Sequence, residues 1–146
     1  MQRKIVLVSH GPLAAGMKEA VRMVTGESEN ILAFGLQPGN HPDAITEDVR
    51  HIITSDTAET EYIIITDFLG GSMANSIAKL CEMDNVFIVS GMNISLVIEL
   101  ALGDISIPAE ELIRTTIQRA KDSIMLLDKS EFESDAKKGK EDDLWS

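Results

Sequence analysis

Four short apolar runs punctuate the chain, at residues 5–8, 31–34, 62–65 and 86–89. The last two are continuous rather than alternating, which is typical of strands that are covered on both faces of a parallel sheet. Segments with apolar residues at helical spacing lie between the runs. This alternation predicts an α/β fold: a doubly wound, mainly parallel four-stranded sheet flanked by helices.

Five amphipathic segments are predicted to form those helices. The fourth is a short helix over residues 95–102, and the fifth begins near Pro108 and continues to Ala120 or Ile124. The apolar faces of the first three are predicted at Leu13, Met17, Ala20, Val21 and Val24, then at Ile45, Val49, Ile52 and Ile53, then at Ala74, Ile77, Ala78 and Cys81.

Residues that favour helix ends flank these segments. Pro12 fits the first turn of the first helix, and Gly26 fits its end. Asn40 or His41 is predicted to cap the second helix, and Ser72 the third.

The length of 146 residues fits one domain, which we place at residues 1–130. Residues 131–146 form an acidic tail with little periodicity, and we expect this tail to be largely disordered. Residues 123–128 are compatible either with a helix end or with a fifth strand.

Composition narrows the range of partners and compartments. A net charge of −11 disfavours nucleic acid and anionic membranes as partners. Cys81 is the single cysteine, so neither an internal disulfide nor a cysteine-rich zinc site is expected, and we predict it to be inert core. The N-terminal apolar run ends too early for a signal peptide or a membrane span, which predicts a cytoplasmic protein.

Residues suited to catalysis or ligand binding follow directly after three of the predicted strands. His10 follows the first strand, Asp67 with the Gly70–Gly71–Ser72 turn follows the third, and Gly91 follows the fourth. Ligands of open parallel sheets bind at the carboxyl ends of the strands, so these residues are predicted to share one edge.

His10 and Asp67 can touch if the first and third strands are neighbours. A carboxylate that accepts the Nδ1 proton holds the imidazole in one tautomer and leaves the Nε2 lone pair free for nucleophilic attack. The same carboxylate stabilises the positive charge that develops on the ring. We therefore interpret His10 as a nucleophile and Asp67 as the residue that orients it.

The Gly70–Gly71–Ser72 turn is predicted to bind a phosphate. Backbone amides at a helix start attract anions, and glycine permits close approach. The Ser72 hydroxyl can contact the phosphate, cap its own helix, or do both. We expect neither a metal nor a cofactor in this site.

Three separated motifs resemble the IIA component of the mannose class of the bacterial phosphoenolpyruvate-dependent sugar phosphotransferase system. The resemblance covers residues 4–125, in matching order. The motifs are Val8-Ser9-His10-Gly11, Asp67-x-x-Gly70-Gly71-Ser72-x-x-Asn75 and Gly91-Met92-Asn93-Ile94.

The resemblance implies that HPr phosphorylates Nε2 of His10, and that the phosphate passes to a separate IIB component and then to sugar at the membrane permease. It also implies a homodimer in which a C-terminal antiparallel strand is exchanged, for which residues 123–128 are the candidate. Possible docking residues around His10 are Leu13, Phe68, Leu69, Met92 and Asn93, although these can equally be packing residues.

Two alternatives stay open on the sequence. One is the phosphotransfer subunit of dihydroxyacetone kinase, which has a related fold but a different loop after the third strand. The other is a tetrapyrrole metal chelatase, which also opens with a strand followed by His-Gly. A chelatase needs a second metal-facing histidine, and only His41 is placed to reach the same edge.

Overall fold

A parallel four-stranded sheet forms the centre of the fold, as predicted. The structure is a computed structural model that describes the backbone of residues 1–145 and the side chains of residues 1–139. All neighbouring strands are parallel, in the order β2-β1-β3-β4. The strands are β1 (Gln2–His10), β2 (Ile31–Leu36), β3 (Thr60–Thr66) and β4 (Val86–Ser90).

Six α-helices are present in residues 1–145, and a short 3-10 helix (Ala78–Glu82) continues the third of them. None of these helices is long and apolar enough to cross a membrane. The α-helices are α1 (Leu13–Thr25), α2 (Pro42–Ser55), α3 (Ser72–Ile77), α4 (Ile94–Ala101), α5 (Ala109–Asp122) and α6 (Lys129–Trp145).

Both faces of the sheet are buried, which explains the continuous apolar runs. Successive residues of β1 point to opposite faces. Ile5 and Leu7 join a core with α1, α4 and α5, whereas Val6 and Val8 join a core with α2 and α3. β3 alternates in the same way, with Ile63 and Ile65 on the first face.

β1 lies between β2 and β3, so the chain adds β2 on one side of β1 and then β3 and β4 on the other side. α1 leads outward to β2 on one face, and α2 returns past β1 to β3 on the other. A crevice at the carboxyl ends of β1 and β3 is the expected binding position in such a sheet. His10 ends β1, and Asp67 directly follows β3, so the predicted convergence is confirmed.

The apolar face predicted for α3 lies about one residue away from the face that is buried. Met73, Ser76, Ile77 and Leu80 are buried, whereas Cys81 is exposed rather than core. The buried residues keep the spacing of an α-helical stripe, but the stripe begins at Met73 rather than at Ala74, because the larger apolar side chains of Met73, Ile77 and Leu80 fill the core.

The helix ends were predicted in part. Gly26 ends α1 in the left-handed conformation, and Nδ1 of His41 accepts a hydrogen bond from the Asp43 amide at the start of α2. Pro12 occupies the N-cap position of α1 rather than its first turn. Within α1 the buried residues are Ala14 and Val21, while Leu13 and Val24 of the predicted face are exposed.

The C-terminal region consists of residues 123–128 and the helix α6. Residues 123–128 form no strand within the chain, and their apolar side chains, residues 124–127, are exposed. α6 follows, and the Asp128 carboxylate accepts the Glu131 amide at its start. Lysine, glutamate and alanine favour helix, which explains a helix where periodicity is weak. Residue 146 and the side chains of residues 140–145 lie outside the described part of the tail.

Candidate active site

His10 is fixed to Asp67 through two of its atoms. Its ring nitrogen Nδ1 lies 2.7 Å from Asp67 Oδ2, and its backbone N–H donates to the same oxygen at 2.8 Å. The His10 side chain is 43% exposed, whereas the Asp67 side chain is 7% exposed. The orienting carboxylate is therefore buried beneath a histidine that solvent can reach.

Asp67 is held as a carboxylate. Burial raises its pKa, but hydrogen bonds from the His10 amide, the His10 ring and the Phe68 amide outweigh that effect, so the pKa lies below its usual value. Oδ1 accepts the Phe68 N–H at 3.0 Å. An ionised carboxylate only accepts hydrogen bonds, so His10 Nδ1 carries a proton, and in the neutral imidazole Nε2 then presents a lone pair.

The free Nε2 faces the start of α3. Ser72 Oγ lies 3.4 Å from it, and Ser72 is the first helical residue. The predicted cap was wrong, because Gly71 occupies the N-cap position and no side chain caps α3. Gly70 has φ 81°, in the left-handed region that glycine adopts without strain, and it turns the chain into α3.

The arrangement combines an exposed imidazole, a buried carboxylate and a helix start. The first amides of a helix have no intrahelical partner and are available to an anion. Within residues 1–139, no group of three or more histidine, cysteine or acidic side chains could hold a metal ion.

Comparison with known families gives this geometry a context. A family model described as the PTS system fructose IIA component, EIIA-man, matches residues 4–117. The chain belongs to this mannose-class EIIA family. As a IIA component, it is a phosphotransfer subunit of a sugar phosphotransferase system.

Relatives of this EIIA chain include two sorbose-specific EIIA components. The one from Klebsiella pneumoniae is 30% identical over 108 residues, which cover 73% of this chain and 78% of the relative. The one from Lacticaseibacillus casei is 30% identical over 112 residues, which cover 75% and 80% of the two chains.

A solved structure of a PTS IIA protein associated with the fucose utilization operon of Streptococcus pneumoniae is also similar. It is 29% identical with a TM-score of 0.73, and the match covers 86% of this chain and 93% of that one. The fold and the family predicted from the sequence are therefore confirmed.

The five proposed docking residues of this EIIA chain fall into two groups. Leu13, Phe68 and Leu69 are 47%, 53% and 85% exposed, so each presents apolar surface close to His10 in the chain or at the same sheet edge. Met92 instead packs against the core, and the Asn93 side chain accepts the Leu96 amide at the start of α4. Exposure thus leaves the first three free to contact a partner, while the other two have structural contacts.

Ser9 was missed as a residue that supports the site. It is fully buried, and its hydroxyl accepts the Ala14 N–H at 2.8 Å, which ties the end of β1 to the start of α1. A polar residue at the end of a buried apolar run, directly before His10, was the available signal.

Gly35 was also missed, and it controls the loop after His10. A Cβ at Gly35 would lie 2.1 Å from the Gly11 carbonyl oxygen. Gly11 follows His10 directly, and its amide donates to Leu36 O at 2.8 Å. The close approach of two backbones therefore requires glycine in β2.

Gly35→Ala is expected to lower the free energy of unfolding by about 1–3 kcal/mol, because a backbone rather than a flexible side chain must move. Urea unfolding measures this change. Gly16→Ala is the matched control, because a Cβ there meets nothing within 4 Å and Gly16 lies inside α1. That control should be neutral or stabilising, and equal destabilisation by both substitutions would contradict the close approach.

Proposed function

We propose that this EIIA chain is a cytoplasmic phosphoryl carrier that accepts phosphate from HPr on His10 Nε2. It then passes the phosphate to a separate IIB component, which phosphorylates a sugar during uptake by the membrane permease. The observation that carries the proposal is the 2.7 Å contact between His10 Nδ1 and Asp67, because in the neutral imidazole this contact leaves the Nε2 lone pair free on a side chain that is 43% exposed.

In the first transfer, the lone pair of His10 Nε2 forms a bond to phosphorus while the bond between phosphorus and its HPr donor breaks. No proton has to move, because the Nδ1 proton stays on the ring against Asp67. The positive charge that the ring gains is balanced by the buried carboxylate. Transfer to IIB reverses these roles, with Nε2 as the leaving group.

The turn at residues 70–72 is proposed to hold the transferred phosphoryl group. Ser72 Oγ lies next to Nε2 and can donate to a phosphoryl oxygen. Most of the catalysis of phosphoryl transfer comes from alignment and charge stabilisation. We assign Gly70, Gly71 and Ser72 this role, and no metal or cofactor is needed by the proposed steps.

Two partners must reach the same nitrogen in turn, which requires an open site. The exposed apolar side chains of Leu13 and Leu69 are proposed to contribute to both docking surfaces. The chain is also proposed to be a homodimer. β4 is an edge strand, and the exposed apolar residues 124–127 are available for exchange as a strand between subunits.

Family membership supports this function over a tetrapyrrole chelatase. The curated relatives are components of sorbose, fructose and mannose systems, which favours a sugar system over dihydroxyacetone kinase.

Incubation with phosphoenolpyruvate, Enzyme I and HPr tests the proposal. Intact mass measurement should find one added phosphoryl group per chain, and mild acid should remove it, as it does a phosphoramidate. Omission of HPr is the control and should leave the mass unchanged. The carrier function would be refuted if the chain took up no phosphate, or if the phosphate that it took up were stable to acid.

A further inference from the structure

An aromatic ring lies against the imidazole of His10. The centroids of the Phe68 and His10 rings are 5.4 Å apart, and their planes differ by 22°, so the rings are stacked. A single hydrogen bond from Nδ1 to Asp67 restrains one edge of the imidazole but still permits the ring to tilt about that contact. A stacked ring restrains the plane itself.

Gly71 makes the space that the Phe68 ring occupies. A Cβ at Gly71 would lie 2.7 Å and 2.8 Å from two Phe68 ring carbons and 3.3 Å from a third. The backbone of Gly71, with φ −73° and ψ 160°, is one that any residue adopts. Glycine therefore leaves room for the phenylalanine ring in this position, whereas the backbone conformation itself does not call for glycine.

Phe68 also contacts Asp67, the carboxylate that is hydrogen-bonded to His10. Its backbone N–H donates to Asp67 Oδ1 at 3.0 Å, while its ring stacks on His10. One residue thus restrains both the carboxylate and the imidazole, although it is half exposed and can be taken for docking surface. Leu69, its neighbour, is 85% exposed and has no aromatic ring to stack on His10.

We infer that Phe68 is a positioning residue, which holds the His10 ring plane so that Nε2 stays directed at the start of α3. The kinetic consequence of this inference rests on the proposed carrier function, whereas the contact between the two rings is independent of that function. The π face of Phe68 also favours positive charge on the adjacent imidazole, which develops as Nε2 bonds to phosphorus.

Two substitutions separate positioning from docking. Phe68→Leu keeps apolar surface but removes the ring. The saturating rate of phosphorylation by phospho-HPr is expected to fall by about 10- to 100-fold, with a smaller change in KM. A docking residue behaves in the opposite way, so a raised KM with an unchanged saturating rate would overturn the inference.

NMR of the unphosphorylated chain provides a readout that needs no phosphoryl transfer. The His10 ring proton resonances should lose the ring-current shift in Phe68→Leu, and they should keep it in the control Leu69→Ala. Unchanged His10 resonances in Phe68→Leu would overturn the stacking. Because this readout is independent of phosphate uptake, a wild-type chain that accepts no phosphate would refute the carrier function alone.

A double-mutant cycle tests the role of Gly71. Gly71→Ala should perturb the His10 resonances in the wild-type background, because the new Cβ displaces the Phe68 ring. The same substitution should have little further effect in the Phe68→Leu background. Equal perturbation in both backgrounds would contradict a role for Gly71 that acts through Phe68.

Discussion

Replacement of His10 with alanine is expected to abolish phosphate incorporation from phosphoenolpyruvate, Enzyme I and HPr. The proposed transfer requires a lone pair at Nε2, and alanine provides no nucleophile in its place. The His10 side chain is 43% exposed and stacks on the half-exposed Phe68 ring, so its removal should leave the fold intact. Intact mass measurement after incubation gives the result directly, and circular dichroism checks the fold.

The chain has three histidines, which makes two matched controls available. His51 is exposed in the middle of α2, and His41 caps the same helix. His51→Ala and His41→Ala should both take up one phosphate, although loss of the cap is expected to cost about 1 kcal/mol of stability. Phosphate retained in His10→Ala, or lost in His51→Ala, would contradict the assignment of His10.

The sheet could be predicted because its strands are covered on both faces. Continuous runs such as residues 62–65 admit few other interpretations when helical patterns separate them. Once the strands are placed, the carboxyl-end rule brings His10 and Asp67 to one edge. The pairing of β1 with β3 was an assumption at that stage, and the structure bears it out.

Helix faces and helix starts were less predictable, because they depend on local geometry that periodicity does not encode. The predicted stripe through Ala74, Ile77 and Cys81 has helical spacing, but the neighbouring stripe through Met73, Ile77 and Leu80 is the buried one, so Cys81 is exposed. Ser72 is a good cap by residue type, but the chain enters α3 through Gly71, so Ser72 lies one position inside the helix. In that position its hydroxyl lies 3.4 Å from His10 Nε2.

Contacts between segments far apart in the chain were beyond sequence reasoning altogether. The stack of Phe68 on His10 joins residues 58 positions apart, and Gly35 in β2 meets Gly11 in the turn after the neighbouring β1. Each glycine has an ordinary explanation as a turn residue, so nothing in its type points to a particular neighbour. Close approaches of this kind require the register of the sheet and the path of each loop.

The burial of Asp67 and the exposure of His10 fit a carrier better than a hydrolytic enzyme. Asp67 is nearly buried, which strengthens its interaction with the imidazole, while His10 remains open to solvent and to macromolecules. A carrier must release its phosphate to a second protein and therefore gains nothing from an enclosed pocket. The counter-charge is protected, and the reacting nitrogen is not.

Asp67→Asn is expected to slow phosphoryl transfer to His10 by on the order of 10²- to 10⁴-fold. The two carboxylate oxygens accept three donors, namely the His10 amide, the His10 ring and the Phe68 amide. An amide side chain has one oxygen, so at least one donor faces an NH₂ group in either orientation. When that NH₂ group faces Nδ1, the proton moves to Nε2 and blocks the nucleophile, and the counter-charge is lost in both orientations.

Three measurements on Asp67→Asn examine this argument separately. Rapid-quench rates with phospho-HPr report transfer, and ¹⁵N shifts of the imidazole report which nitrogen carries the proton. Asp84→Asn is the matched control, because Asp84 is exposed and precedes β4 at the opposite end of the sheet. Wild-type rates together with an unchanged tautomer would remove Asp67 from the mechanism.

The third measurement is stability against pH, and its sign follows from the lowered pKa of Asp67 in the folded chain. A carboxyl whose pKa is lower in the folded state stabilises the fold fully above its unfolded pKa of about 4. That contribution is lost as the pH falls through the folded value. The wild-type chain should therefore be more stable than Asp67→Asn at neutral pH, and the difference should shrink on acidification. A difference that does not depend on pH would mean that lost packing, rather than the charge of Asp67, causes the defect.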